Sequence, residues 1–371
     1  MGWVVYEITG SGALLGAVMG ARAIPMLLLT PLSGVAADRY DRKRLLQASQ
    51  GLAAAVSLAF GAALALGMVD TWMLFAFTML MGASNVVDRP ARMTTAFELV
   101  PRELVVKAVA LNTIGFSMVR VFAPAIAGYL IAGVGAAGSF FVQGVLYAAS
   151  GAVVLMVAFP ARRAAAPGRS ALADMAEGLR FAASDARTRV LLAVGLLPYF
   201  LMVPVWGTLF PIYAKDVFAA GPEGLGMLLT AVGLGGTFGG LIANALARAE
   251  RQGMIQAAWV LVMAAALAGL AASPTLPVAM LCGLIGGAAE MAHTAANMAM
   301  LQLSAPEAMR GRISSLTMLY PVFISLGAFL AGPLADLLGV RGASLALAAA
   351  AAGAMLLMIL ASPLLRELRH K

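Results

Sequence analysis

Apolar stretches of about 20 residues or more recur along almost the whole chain, with only short polar loops between them. That is the length at which a helix crosses the hydrocarbon core of a bilayer. After a short apolar stub at about 1–8, the hydropathy pattern predicts helices over 12–36, 45–67, 72–90, 108–132 and 138–160. A second set follows over 188–214, 224–247, 254–272, 276–303, 313–338 and 342–362. The chain of 371 residues is 62% hydrophobic and 11% charged, against about 25% charge in a soluble domain. Water would not tolerate that much uncovered apolar surface, whereas lipid does, provided every backbone polar group is paired inside a helix. The expected fold class is therefore all-α, a polytopic membrane protein.

The formal charge of +8 is spread over short loops rather than gathered in a patch. Arg39, Arg42, Lys43 and Arg44 follow one span, Arg89, Arg92, Arg102 and Lys107 lie two loops on, and the alternation continues through Arg162, Arg163, Arg248, Arg251, Arg310 and Arg312 to the tail. The opposite loops hold little beyond Lys215 and Arg341. This asymmetry sets orientation in a membrane. It predicts an inner (plasma) membrane protein of bacterial type with the basic loops and the C-terminus in the cytoplasm, and it gives no reason to expect nucleic acid as a partner. Residues 161–187 begin PARRAAAPGRS and continue with apolar residues at helical spacing, which predicts a cytoplasmic linker carrying a short amphipathic helix. The expected domains are then a helical bundle over 1–160, the linker over 161–187, and a second bundle over 188–371 with a short cytoplasmic tail.

The two halves share local patterns. SGVAADRYDR at 33–42 aligns with GGLIANALAR at 239–248, and AGYLIAGVGAAGS at 127–139 aligns with AGPLADLLGVRGA at 331–343. The offset is about 205 residues both times, the trace of a duplication of the kind that builds transporters from related halves. At that offset Met1 falls opposite Gly207, inside a predicted span. The expectation is two pseudo-symmetric six-helix bundles with most of the first helix missing, so about 11 full spans. A misplaced or trimmed start would explain the gap, and a genuine eleven-helix chain is the other reading.

Ionisable residues at bilayer depth are costly and usually face a cavity or a partner. Arg22 lies about ten residues into its predicted span and Arg120 about twelve into another, roughly 15 and 18 Å deep from opposite faces at 1.5 Å per residue. Glu290 is central in the 276–303 span, with His293 one turn on. The arginines could hold an anionic group, and Glu290 with His293 could carry protons. Structural pairing among these groups is the alternative in each case. Glu-x-x-His also occurs in di-metal bundles, but those need a second such pair, which the sequence lacks, so no metal or other cofactor is expected. The single Cys282 and two histidines support no thiolate cage and no catalytic triad, so no enzyme is expected. The glycines of GLGGTFGG at 233–240 permit close helix approach. Asp88 and Arg92, four apart, predict a surface ion pair.

GVAADRYDRKRLL resembles the loop motif of the major facilitator superfamily, G-x-x-x-D-R-x-G-R followed by Arg or Lys. Gly34, Asp38, Arg39, Arg42 and Lys43 match it, and Asp41 stands where the family usually has glycine. VRVFAPAIAGYL is similar to the fifth-helix motif of the exporters, with Arg120, Pro124 and Gly128 in register and Ala123 in place of a glycine. RGRISSLTMLYPVFISLGAFLAGPLAD, which ends in the Gly332–Pro333 pair, resembles the eleventh helix of the subgroup that contains the enterobactin exporter and macrolide efflux proteins. The resemblance implies two bundles that rock about a central cavity, with the Asp38 loop latching them on the cytoplasmic side. It implies export of a small organic molecule, siderophore or drug-like, by a proton-coupled monomer. Two arginines against one glutamate point to an acidic cargo, although neutral or cationic drugs stay open. Rival readings are a lysophospholipid transporter of the same superfamily and a non-transporting membrane sensor or assembly protein.

Overall fold

The computed structural model describes residues 1–30, 41–157, 159 and 171–368. Gly34, Asp38 and Arg39 of the loop motif lie outside them. Among the described residues the regular structure is entirely helical, with no strand. In chain order the helices are α1 (Gly2–Thr9), α2 (Gly12–Ala21, the start of a 19-residue apolar segment ending at Thr30), α3 (Arg42–Ala65), α4 (Thr71–Glu98), α5 (Val105–Met156), α6 (Ala171–Ser184) and α7 (Ala186–Leu201). Then follow α8 (Gly221–Ala245), α9 (Gln252–Ala272), α10 (Leu276–Ser304), α11 (Arg310–Thr317), α12 (Tyr320–Ala361) and α13 (Pro363–Glu367).

Eight helical segments among the described residues are long and apolar enough to cross a membrane. Their outer faces fit that solvent: Met156 is 86% exposed and Leu360 73%. Exposed apolar side chains on this scale belong against lipid. The linker helix α6 forms as expected, and it docks on α11: Glu177 pairs with Arg312 at 2.8 Å, and a methyl on Gly178 would sit 2.8 Å from the Arg312 carbonyl.

The sequence predicts separate spans on either side of 133–137 and of 339–341. The structure keeps a helix on either side of each of these points but has no loop between them, so that helical residues continue over Val105–Met156 and over Arg310–Ala361, 52 residues each. A run of that length would be about 78 Å if straight, more than twice a hydrocarbon core of about 30 Å. The break between the two predicted spans is in each case a single glycine, Gly135 at φ 74°, ψ 172° and Gly339 at φ 70°, ψ 160°. This region of backbone space is open essentially to glycine alone, so one residue turns the chain without a loop. The two glycines are equivalent in the 127–139 and 331–343 alignment. The repeat read from the letters is thus matched by a repeated backbone conformation.

The described residues group into two compact units. One comprises Ala21–Val119 and Tyr129–Ala173; the other comprises Gly2–Gly20, Arg120–Gly128 and Asp174–Lys371. In the first unit, Asp88 accepts from Gln50 Nε2 (2.6 Å), Ser49 Oγ (3.2 Å) and, as expected, Arg92 (3.0 Å), which fastens α3 to α4. Phe60, Phe77 and Phe140 close the core of this unit, with ring centroids 4.7–5.1 Å apart.

No neighbouring atom lies within 4 Å of where a Cβ would stand on Gly135 or Gly339, so a substitution there tests backbone strain alone. Gly135→Ala and Gly339→Ala should each destabilise the protein by about 1–3 kcal/mol, read as a lowered thermal unfolding midpoint in detergent. An unchanged midpoint for both would refute the single-residue turn.

Candidate functional site

The second unit brings together two of the four ionisable residues that the sequence places at depth. Arg120 Nη2 lies 3.4 Å from Glu290 Oε1, and Trp206 Nε1 donates to Glu290 Oε2 at 3.0 Å. The carboxylate is thus divided between a cation from α5 and an indole from the segment after α7, one oxygen to each. Thr294 Oγ1 donates to the Glu290 carbonyl at 2.7 Å, and Tyr199 OH lies 3.0 Å from Thr294 Oγ1. The Tyr199 and Tyr320 rings pack with centroids 4.9 Å apart.

Prolines set the geometry. Pro124 has no N–H, so the carbonyl of Arg120, four residues earlier, loses its helical donor. That carbonyl points at α8, where a methyl on Gly233 would stand 2.3 Å from it. The same device occurs at Pro204, which frees the Phe200 carbonyl toward α12; there a methyl on Gly327 would stand 2.0 Å away. Pro204 also ends the regular helix after Leu201, and the chain continues through short turns and one π turn at Tyr213–Val217. Interrupted helices of this kind line binding sites in transporters. Here the interruption carries Trp206, which packs on Phe210 at 5.0 Å and reaches Glu290.

Glycines let the helices close around the pair. Methyls on Gly235 and Gly239 of α8 would lie 1.9 and 2.1 Å from the Leu284 and Ala288 carbonyls of α10. On the Arg120 side, a methyl on Gly236 would lie 3.0 Å from the guanidinium carbon. The GLGGTFGG stretch is therefore the bed on which Arg120 and Glu290 meet. Gly128 is used in the same way: a methyl there would lie 2.5 Å from the Pro222 carbonyl and 3.1 Å from the Gly226 Cα. Its repeat partner Gly332, beside Pro333, lies against α2, with the Gly12 carbonyl 2.2 Å from where a Cβ would stand.

His293 is buried but does not join Glu290. Its Nδ1 lies 3.3 Å from the Gln256 carbonyl of α9. Around it, Asn297 donates to Gln256 Oε1 (3.0 Å) and to the Leu191 carbonyl (2.8 Å), and Tyr320 OH donates to Asn297 Oδ1 (3.1 Å). This second polar cluster ties α7, α9, α10 and α12 together. Arg22 belongs to the other compact unit. It is exposed, at a local irregularity of its segment, and its stem lies near α4, where a methyl on Gly82 would be 3.3 Å from Arg22 Cγ.

Of the loop motif, Arg42 and Lys43 open α3. Lys43 Nζ donates to the last carbonyls of α5, Leu155 (2.8 Å) and Val157 (3.0 Å), and lies over the Phe159 ring. A lysine at a helix C-terminus is favoured by the helix dipole. Asp41, the departure from the family glycine, is the N-cap of α3, accepting from Arg44 N at 3.1 Å. Trp206, Tyr199, Thr294 and Asn297 escaped the sequence reading. The signal for Trp206 was a polar-edged aromatic between two prolines inside an apolar span.

Residues 1–370 match the family described as transmembrane secretion effector. The chain is 30% identical over 362 residues to the multidrug efflux pump Tap of Mycolicibacterium fortuitum, covering 93% of this chain and 86% of that protein. It is 22% identical over 340 residues to macrolide efflux protein A of Streptococcus pyogenes, covering 90% and 84%. Its fold is similar to the crystal structure of the nucleoside transporter NupG, with TM-score 0.75, 16% identity, and 97% and 92% of the two chains covered.

Gly236→Ala should push the Arg120 guanidinium off Glu290. Overpacking of this kind costs about 1–3 kcal/mol, and the cost should shrink in an Arg120→Ala background because the two changes act on one contact. Thermal unfolding of the four proteins of that cycle checks it; strict additivity would refute the placement of Arg120. The match along the whole chain, the helical fold and the relatives agree: the chain belongs to the transmembrane secretion effector family of major facilitator superfamily transporters, and is a multi-pass membrane transporter rather than an enzyme.

Proposed function

We propose that the protein exports drug-like small organic molecules across a bacterial inner membrane by alternating access, with Glu290 as the proton-coupling carboxylate. The observation that carries the reading is the Arg120–Glu290 pair, in which a first-half helix and a second-half helix share one charge contact at bilayer depth. The pair is partly buried, with Arg120 34% and Glu290 13% exposed, and the more enclosed partner loses most when the other leaves, so a step that separates the halves should supply Glu290 with a substitute, and a proton is the simplest. The names of the relatives, a multidrug efflux pump and a macrolide efflux protein, support a drug-like cargo.

The pairing bears on cargo charge as well. Arg120 is engaged by Glu290, so it adds little attraction for an anion. This favours neutral or cationic drugs over the acidic siderophore that a count of two arginines against one glutamate suggests. The basic-loop asymmetry supports an inward-facing C-terminus. In that orientation Gly12, Gly16 and Gly332, and likewise Gly128 and Gly226, lie toward the external ends of their helices. Their close approach then corresponds to a state closed on the outside.

Inverted vesicles containing the protein and an imposed proton gradient, probed with a panel of drug-like dyes, provide the test. Wild type should move at least one dye in a gradient-dependent way. Glu290→Gln should lower that flux by about tenfold or more, the rate equivalent of roughly 1.4 kcal/mol, at equal membrane abundance. Gradient-driven flux that survives the substitution would rule out Glu290 as the coupling site.

A further inference from the structure

The first part of α12, just before its break at Gly339, carries an acid, Asp336, to which the sequence alone assigns no role. Asp336 Oδ1 accepts from Gly12 N at 2.7 Å; Oδ2 accepts from Ala13 N at 2.9 Å and from Ser11 Oγ at 3.1 Å. Ser11 Oγ in turn accepts from Leu14 N at 3.2 Å. The first N–H groups of a helix have no partner within it, and that end carries about half a positive charge. A residue 324 positions away in sequence from Gly12 therefore caps α2 across a helix–helix seam.

The seam is built for this contact. A methyl on Gly12 would stand 2.6 Å from Asp336 Oδ1, so a side chain at position 12 would displace the carboxylate. Further along the same pair of helices, a methyl on Gly16 would lie 2.4 Å from the Ala328 carbonyl, and one on Gly20 2.4 Å from the Phe329 ring. The rest of the seam is glycine, alanine and aromatic surface, which fits closely but has no charge to hold it. Asp336 supplies the charge. In the internal repeat its equivalent is Ala132, so the related seam of Gly128 against Gly226 lacks the device.

We propose that Asp336 is a gate residue of the transport cycle: it latches the α2–α12 seam in the closed arrangement and releases it when the seam opens. The proposal rests on the alternating-access reading above. Asp336 is itself exposed, so water can replace its three donors once the helices part. The contact can then be made and broken in each cycle, which a fully buried pair would resist.

The test uses the whole chain in membranes, with Cys282→Ala to remove the native thiol and Ala335→Cys as reporter, since Ala335 is 8% exposed in the closed seam. A membrane-impermeant maleimide should label this reporter slowly. Asp336→Asn removes the charge and keeps the shape, and should raise the labelling rate by about tenfold, the value of one charge-assisted hydrogen bond. Asp336→Glu should stay near the wild-type rate. Ser11→Ala, which removes one neutral donor, should raise it a few-fold, and carries the test alone if Asp336→Asn fails to fold. An unchanged labelling rate in Asp336→Asn or in Ser11→Ala, with an unchanged melting temperature, would overturn the latch. The assay needs no cargo. Labelling that responds to Asp336 in a protein without gradient-driven flux would sink the exporter reading and keep the latch; flux with unresponsive labelling would do the reverse.

Discussion

A carboxylate inside a membrane bundle must find donors, and the second unit is arranged around three that do. Asp216 takes the Tyr6 hydroxyl, Glu290 takes Arg120 and Trp206, and Asp336 takes the N-terminus of α2. In each case the acid lies in the second half of the chain and at least one donor in the first. These contacts fall within the compact unit that gathers Gly2–Gly20 and Arg120–Gly128 with Asp174–Lys371, although the duplication runs elsewhere along the chain. Of the three only Glu290 is largely enclosed, where an ionised carboxylate without partners would be costly; Asp216 and Asp336 are exposed and hold their segments by hydrogen bonds at the surface.

Close approach makes the contacts possible. Arg120 reaches Glu290 because Gly233 and Gly236 leave room for its backbone and its guanidinium, and because α8 and α10 touch through Gly235 and Gly239. In lipid, helices gain little from burying apolar side chains against one another, and packing at small residues takes over that role. The prolines contribute from the other direction. The Arg120 and Phe200 carbonyls that they free lie against Gly233 and Gly327, which leave room for them. Glycine and proline, which punctuate loops in a soluble protein, here specify the interior of the site.

Much of this was legible in the letters. Apolar length and basic-loop alternation gave the membrane fold, because the bilayer imposes both on any helical chain. The depth of Arg120 and Glu290 marked them as candidates, and the structure pairs them. Hydropathy dips at a glycine whether the chain unwinds or pivots on one residue, so the letters do not separate the turns at Gly135 and Gly339 from loops. His293 follows Glu290 by three residues, a spacing that shares a helix face, yet its Nδ1 lies by the Gln256 carbonyl of α9, a partner that spacing along one helix does not reveal. The placement of Trp206 between two prolines is visible in the letters, but its role comes from a broken helix, which only the fold shows. Asp336 was passed over because an acid near a loop ordinarily meets water, and only the fold brings the start of α2 to it.

The three carboxylates are not equivalent, and the difference follows from where water can reach. Asp336 lies exposed at a helix end, so parting the seam exchanges its protein donors for water, and the net value of each hydrogen bond is the modest difference between the two. Glu290 lies among Trp206, Arg120 and the glycine bed, where separation from Arg120 would leave a charge with one neutral donor. In the proposed cycle the first arrangement would hold a gate that opens repeatedly, and the second would make opening conditional on something that satisfies Glu290. A transporter of this design would therefore place its inexpensive contact at the rim and its demanding one at depth, so that the rim decides how readily the seam parts and the depth decides what must be bound when it does.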